Sequence, residues 1–172
     1  HIHISPGKVD VLAEGSDVLF YRPPTADAIV LPAAAGDYKR LRQYLNLDAV
    51  SFTLYIAWLT YTLAHPKMKG SNYVILGFIG GEGTGKSLAA KVTMMLVDPS
   101  EVGVERLPAK AKDLAIGLQN RHLVAFDNLR CISPALSDAL CTAATGGAVT
   151  DRKLYTDDHQ HAIPLHGATP LH

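Results

Sequence analysis

Residues 77–91 read GFIGGEGTGKSLAAK, and within them Gly80, Gly85, Lys86 and Ser87 fall at the spacing G-x-x-x-x-G-K-[ST]. Glycine inside regular structure costs about 0.5–1 kcal/mol relative to alanine, so a cluster of glycines where a strand runs into a helix signals that backbone is being presented to something. Across Gly80, Gly81, Glu82, Gly83, Thr84 and Gly85 the amides can turn inward around phosphate oxygens. Lys86, Ser87 and Leu88 then open a helix whose unpaired first amides and positive dipole end suit the same anion. In that setting the Lys86 ammonium reaches the β and γ phosphates and the Ser87 hydroxyl ligates magnesium, which makes ATP and Mg2+ the expected cofactors. A glycine-rich turn can also do no more than join two elements. Four matched positions between a strand and a helix favour phosphate.

A second constellation lies in HLVAFDNL, residues 122–129. Apolar residues ending in an acid describe a buried strand that delivers Asp127 to its carboxyl end, beside the phosphate loop, where it can hold the magnesium shell with Ser87. Asn128 follows, where many ATPases with this arrangement carry a second acid. An amide orients water but is a poor proton acceptor, so hydrolysis is expected to be slow unless a base comes from elsewhere. Glu82 is a weak candidate for that base and more simply an exposed loop residue. Lys86, Asp127 and Asn128 are therefore the candidate catalytic residues.

The elements that must position these groups can be read around them. Tyr73 to Ile79, YVILGFI, is a near-continuous apolar run that fits a strand buried on both faces, and a helix from Lys86 to about Val97 follows it. A helix from Ala109 to Leu118 precedes the strand His122 to Asp127. Ser133 then caps a helix that begins with Pro134 and ends at Gly146 and Gly147. Alternation of buried strand and helix implies a parallel sheet with crossover helices. The last segment pairs VTDRKLYT with HAIPLHGA around DDHQ as a hairpin. Upstream, Asp37 caps a helix through about Asn46, and Asp48 a longer one ending near His65, because Pro66 disfavours helix at the residue before it. Residues 1–31 show only short β-like pieces, VDVLA, DVLFY and AIVLP, between glycines and prolines.

The totals set outer bounds. A chain of 172 residues, 48% of them hydrophobic, suits one core with an arm, and 16 basic against 16 acidic side chains leave any nucleic-acid surface to be local. Cys131 and Cys141 form no metal or redox spacing, which points to two packed thiols in a reduced, cytoplasmic protein. The apolar stretch Ala49 to Ala64 carries Ser51, Thr53, Thr60 and Thr62 and is short for a membrane span, so it reads as a core helix with Trp58 inside. HIHISPGKVD lacks a hydrophobic run of the needed length, so no signal peptide is expected there. Histidines 159, 161, 166 and 172 cluster near the hairpin, but no cysteine or carboxylate completes a tetrahedral zinc set.

Taken together, YKRLRQYLN, FTLYIAWLTYTL, GGEGTGKS, LVAFDNL, LSDALCTAATGG and DRKLYTDD, in that order, resemble the superfamily 3 helicases of the poxvirus primase-helicase type and the related ATP-binding proteins of prophages and mobile elements. The likeness covers roughly Pro32 to Ala168, and its last two motifs are the specific ones. It implies that Gly146 and Gly147, Arg152 and Tyr155 match a further motif whose hairpin approaches DNA in the channel of a ring. Arg152, Lys153 and His159 become candidate DNA contacts, through phosphate neutralisation rather than base reading. The resemblance also implies a sensor asparagine where His172 stands, and an arginine further downstream that completes the neighbouring subunit's site. Either these functions are lost or residues are omitted between Ala168 and Leu171; a core strand replaced by TPLH would leave the sheet incomplete, so omission is the expectation, and His172 is not read as a substitute for the sensor.

The sequence thus predicts an α/β fold: a P-loop NTPase core of the AAA+-like kind, three-layered with a mostly parallel sheet, over residues 71–172. A β arm (1–35) and a small helical element (36–70) precede it. The expected activity is ATP hydrolysis coupled to DNA unwinding or translocation in phage or mobile-element replication. The expected assembly is a homo-oligomer, a hexameric ring on single-stranded DNA, with a primase domain or protein as a further partner and no membrane. Two other classes stay open. An ATP-binding switch or assembly module that rarely hydrolyses, as in a defence system, suits Asn128. A small-molecule P-loop kinase needs an arginine-bearing lid and an acceptor pocket, neither of which is evident.

Overall fold

Two aspartates start the helical element. Asp37 accepts a hydrogen bond from the Lys39 amide at 2.9 Å and opens a 3-10 segment, Tyr38–Gln43. That segment is tighter and shorter than the helix through Asn46 expected from the sequence. Leu45 is buried, and the amide of Leu47 turns back onto the Leu45 carbonyl, so the chain has already bent before Asn46. Asp48 then caps α1, Ala49–Ala64, by accepting from the amides of Val50 and Ser51 at 2.8 and 3.0 Å. The Ser51 hydroxyl adds a third bond at 2.8 Å. These bonds, the Ser51 amide first, hold the Asp48 carboxyl below its ordinary value. One face of α1, Phe52, Tyr55, Trp58, Leu59 and Thr62, is buried at the spacing of an amphipathic helix. Trp58 belongs to that core, its indole N–H donating to the Val74 carbonyl at 2.8 Å.

The computed structural model describes residues 2–11, 23–31, 33, 35–65, 71–119, 121–129, 131–152, 160–164 and 170–171. At the N-terminus β1, Ile2–Ser5, pairs antiparallel with β2, Lys8–Val11. Of these, only β2 coincides with a β-like piece of the sequence, VDVLA. DVLFY lies outside the described residues. Residues 28–31 of AIVLP form no strand and are exposed. The arm is tied down instead by Ala26, which bridges to Ser100, and by the Asp27 amide on the Pro99 carbonyl at 2.9 Å.

Four short strands make a parallel sheet in the order β3, β8, β5, β4: β3 is Leu76–Gly77, β4 Glu105–Arg106, β5 Phe126–Asp127 and β8 Pro170–Leu171. Between them run α2, Lys86–Val97, α3, Ala111–Gln119, and α4, Pro134–Ala144. The run into β5 explains the layering. Leu123 and Ala125 pack with α1 and α2, whereas Val124 and Phe126 pack with α3 and α4. Successive residues of extended chain point to opposite faces, so helices cover this segment on both sides. Ser133 caps α4 and Pro134 fills its first position, as that local signature predicts.

Three further expectations need correction. The run Tyr73 to Ile79 is not buried on both faces: only Leu76–Gly77 is strand, Val74 is 56% exposed and Ile79 is 99% exposed. Its apolar composition concealed that β3 has a sheet neighbour, β8, on one side only among the described residues. Nor is the sheet left without its next strand, because Pro170–Leu171 sits between β3 and β5. Proline is tolerated there as the first residue of the strand. Finally, Cys131 and Cys141 are free and exposed rather than packed.

Outside the sheet, β6, Ala148–Arg152, pairs antiparallel with β7, Gln160–Pro164, from Ala148 opposite Pro164 to Arg152 opposite Gln160. That is the hairpin read from the sequence, with its turn outside the described residues. Among the described residues no helix is long and apolar enough to cross a membrane.

Candidate functional site

The loop between β3 and α2 owes its shape to two left-handed residues, Gly83 at φ 74° and Gly85 at φ 87°. A Cβ-bearing residue would be strained at both. Gly80 is needed for a different reason: a Cβ there would lie 2.9 Å from the Thr84 hydroxyl, which itself donates to the Gly81 carbonyl at 2.9 Å. The loop is folded tightly on itself. Gly85 is the N-cap of α2 and brings no side-chain hydrogen bond to the helix's first amides. A helix start of this kind, with glycines around it, fits an anion.

Lys86, the first residue of α2, reaches back over the loop and donates to the carbonyls of Gly80 at 2.9 Å and Gly81 at 2.6 Å. Ser87 follows, and its hydroxyl donates to Asp127 Oδ2 at 3.2 Å. Ser87 and Asp127 therefore meet where α2 begins and β5 ends, while the Lys86 ammonium is turned back onto the loop. Ser87 and Asp127 supply a hydroxyl and a carboxylate oxygen, the hard donors that magnesium takes. Glu82 and Gly81 are exposed on the loop, and Leu88 is exposed on the first turn of α2.

Asn128, immediately past β5, adopts φ 60°, a left-handed conformation uncommon outside glycine and best tolerated by asparagine and aspartate. Its backbone changes direction at the residue after Asp127. Arg152 closes β6, while Lys153, Tyr155 and His159 lie outside the described residues. Among the described residues no group of three metal-ligating side chains of the His, Cys, Asp and Glu kinds comes together.

Several supporting residues carry no sequence motif and were missed. Asp98, just past α2, accepts from the amides of His122 and Leu123 at 2.7 and 3.0 Å, which fixes the lead-in to β5 against that helix. Arg121 pairs with Glu105 on β4. Asn46, between the 3-10 segment and α1, donates to the Thr84 carbonyl at 3.4 Å and borders a cavity of about 370 Å3 beside the loop. Lys39, Arg40 and Arg42 of the 3-10 segment are exposed, the Arg42 guanidinium lying 5.2 Å from the centre of the Phe52 ring.

A family model described as an actinomycete integrative conjugative element replication protein matches residues 39–164, from the 3-10 segment to the end of β7. No curated protein and no solved structure matches the chain.

Proposed function

Since the chain belongs to the actinomycete integrative conjugative element replication protein family, we propose that it is the ATP-driven motor of that replication, a DNA helicase or translocase acting in the cytoplasm. The observation that carries the reading is the bond from Ser87, at the start of α2, to Asp127, at the end of β5, with the neighbouring Lys86 folded back over the glycine loop. The likeness to superfamily 3 helicases supplies the class of motor, and with it an AAA+-like P-loop core over residues 71–172.

In this reading the loop amides and the α2 N-terminus hold the triphosphate of ATP. Lys86 exchanges the carbonyls of Gly80 and Gly81 for phosphate oxygens, so its charge moves from the loop to the ligand. Ser87 and Asp127 would hold magnesium, which would supply neutralisation of charge on the phosphates. Asn128 orients the attacking water but accepts a proton poorly. Catalysis is then mostly positioning and charge stabilisation, completed by an arginine of a neighbouring subunit in a ring, the hexamer of the related helicases. Arg152, Lys153 and His159 bring the hairpin to single-stranded DNA by neutralising phosphates. A primase domain or protein is the partner such a motor would serve.

A second reading, a nucleotide switch that binds ATP and seldom hydrolyses it, is favoured by Asn128 standing where an acid would serve as base. Magnesium-dependent ATP turnover, followed across protein concentration with and without single-stranded DNA, separates the two. The motor predicts turnover that rises with both, and the switch predicts tight binding without stimulation.

A further inference from the structure

We infer that the cavity beside the phosphate loop seats the base of the nucleotide and that Asn46 selects adenine there. This rests on the reading of residues 80–88 as a phosphate site. The cavity holds about 370 Å3, within the range of roughly 300–1,000 Å3 in which small ligands are bound. One wall is the loop itself, through Ile79, Thr84 and Lys86; the other is the joint that leads into α1, through Asn46, Leu47 and Ser51. A nucleotide whose phosphates lie along the loop has its base within reach of that joint.

The wall chemistry fits a purine. Ile79 is 99% exposed, a complete apolar side chain beside the buried Phe78 and bordering the cavity with Leu47. A flat aromatic ring laid against Ile79 and Leu47 would remove apolar surface from water. Asn46 brings the polar edge. Its amide carries both a donor and an acceptor, the pair that matches the N6 amino group and N7 of adenine, whereas guanine presents two acceptors on that edge. The existing bond from Asn46 Nδ2 to the Thr84 carbonyl is long, at 3.4 Å, so it is readily exchanged for a ligand. It also ties the base seat to the residue two before Lys86.

The test is calorimetric titration of the full chain, in magnesium, with ATP, GTP and inorganic tripolyphosphate. Wild-type protein should bind ATP about tenfold more tightly than GTP or tripolyphosphate. Asn46→Ala should bring ATP and GTP to similar affinity, and Asn46→Gln should restore part of the preference. Ile79→Ser, at a position that contributes nothing to the core, should weaken ATP and GTP together and leave their ratio alone. If tripolyphosphate binds as tightly as ATP in wild-type protein, the base seat is wrong while the phosphate site stands. If Asn46→Ala keeps the full preference for ATP, Asn46 is not the selecting group. If none of the three ligands binds, the phosphate site falls and the base seat with it.

Discussion

The Ser87 hydroxyl donates to Asp127 Oδ2 across 3.2 Å, joining the first turn of α2 to the end of β5. Two oxygens from separate elements are thus held together at the residue after Lys86. If that point is a magnesium site, Ser87→Ala and Asp127→Asn should each lower magnesium-dependent ATP turnover by about a hundredfold or more. A stability defect alone would lower active protein without changing the magnesium concentration that gives half-maximal rate. That concentration should rise in both variants.

Asn128 invites a series. Its φ of 60° predicts that Asn128→Gly folds as well as the wild type, while Asn128→Val loses about 1–2 kcal/mol in denaturant titration. Asn128→Asp keeps the conformation and adds a proton acceptor. Its turnover should exceed that of the wild type if a missing base limits hydrolysis. Equal turnover in the two proteins would place the limit elsewhere.

Acid should act through the α1 cap. Hydrogen bonds from Ser51 and Val50 hold the Asp48 carboxyl below its ordinary value of 3.8. Stability from a depressed carboxyl is present above its unfolded value and is lost as pH falls through the folded one. Asp48→Asn keeps a good cap without a titrating group. Thermal melts taken downward from pH 6 should therefore show the wild type losing its advantage over Asp48→Asn below about pH 3.8. Parallel curves through that range would contradict this role for Asp48.

The two faces of the β5 segment should be separable. Leu123 is fully buried with α1 and α2, and Leu118 is fully buried with α4, Val124 and Phe126. Leu123→Ala and Leu118→Ala should each cost about 2–5 kcal/mol by chemical denaturation. Because they sit in different clusters, the double variant should lose close to the sum.

How much of this could be read from residues alone varies by element. The limits of α1 were legible because Asp48 and Pro66 mark them chemically, and the start of α2 because Gly85, Lys86 and Ser87 admit one local geometry. Tyr73 to Ile79 misled, since an apolar run states hydrophobicity and not how many sheet neighbours a strand has. Pro170–Leu171 carried no strand signal: two residues, one a proline, take their place only by pairing with Leu76, Gly77 and Phe126. Asn46 was invisible for a similar reason, as its position beside Thr84 depends on a turn that tertiary packing of Leu45 creates.

The central claim, that Lys86 serves a triphosphate in a DNA-stimulated motor, is tested most directly by ATP turnover in magnesium. Wild-type protein and Lys86→Ala would be compared across protein concentration, with and without single-stranded DNA. The account predicts turnover in the wild type that climbs with concentration and with DNA and vanishes in Lys86→Ala. Tight ATP binding with turnover indifferent to both would contradict the motor and leave a nucleotide switch.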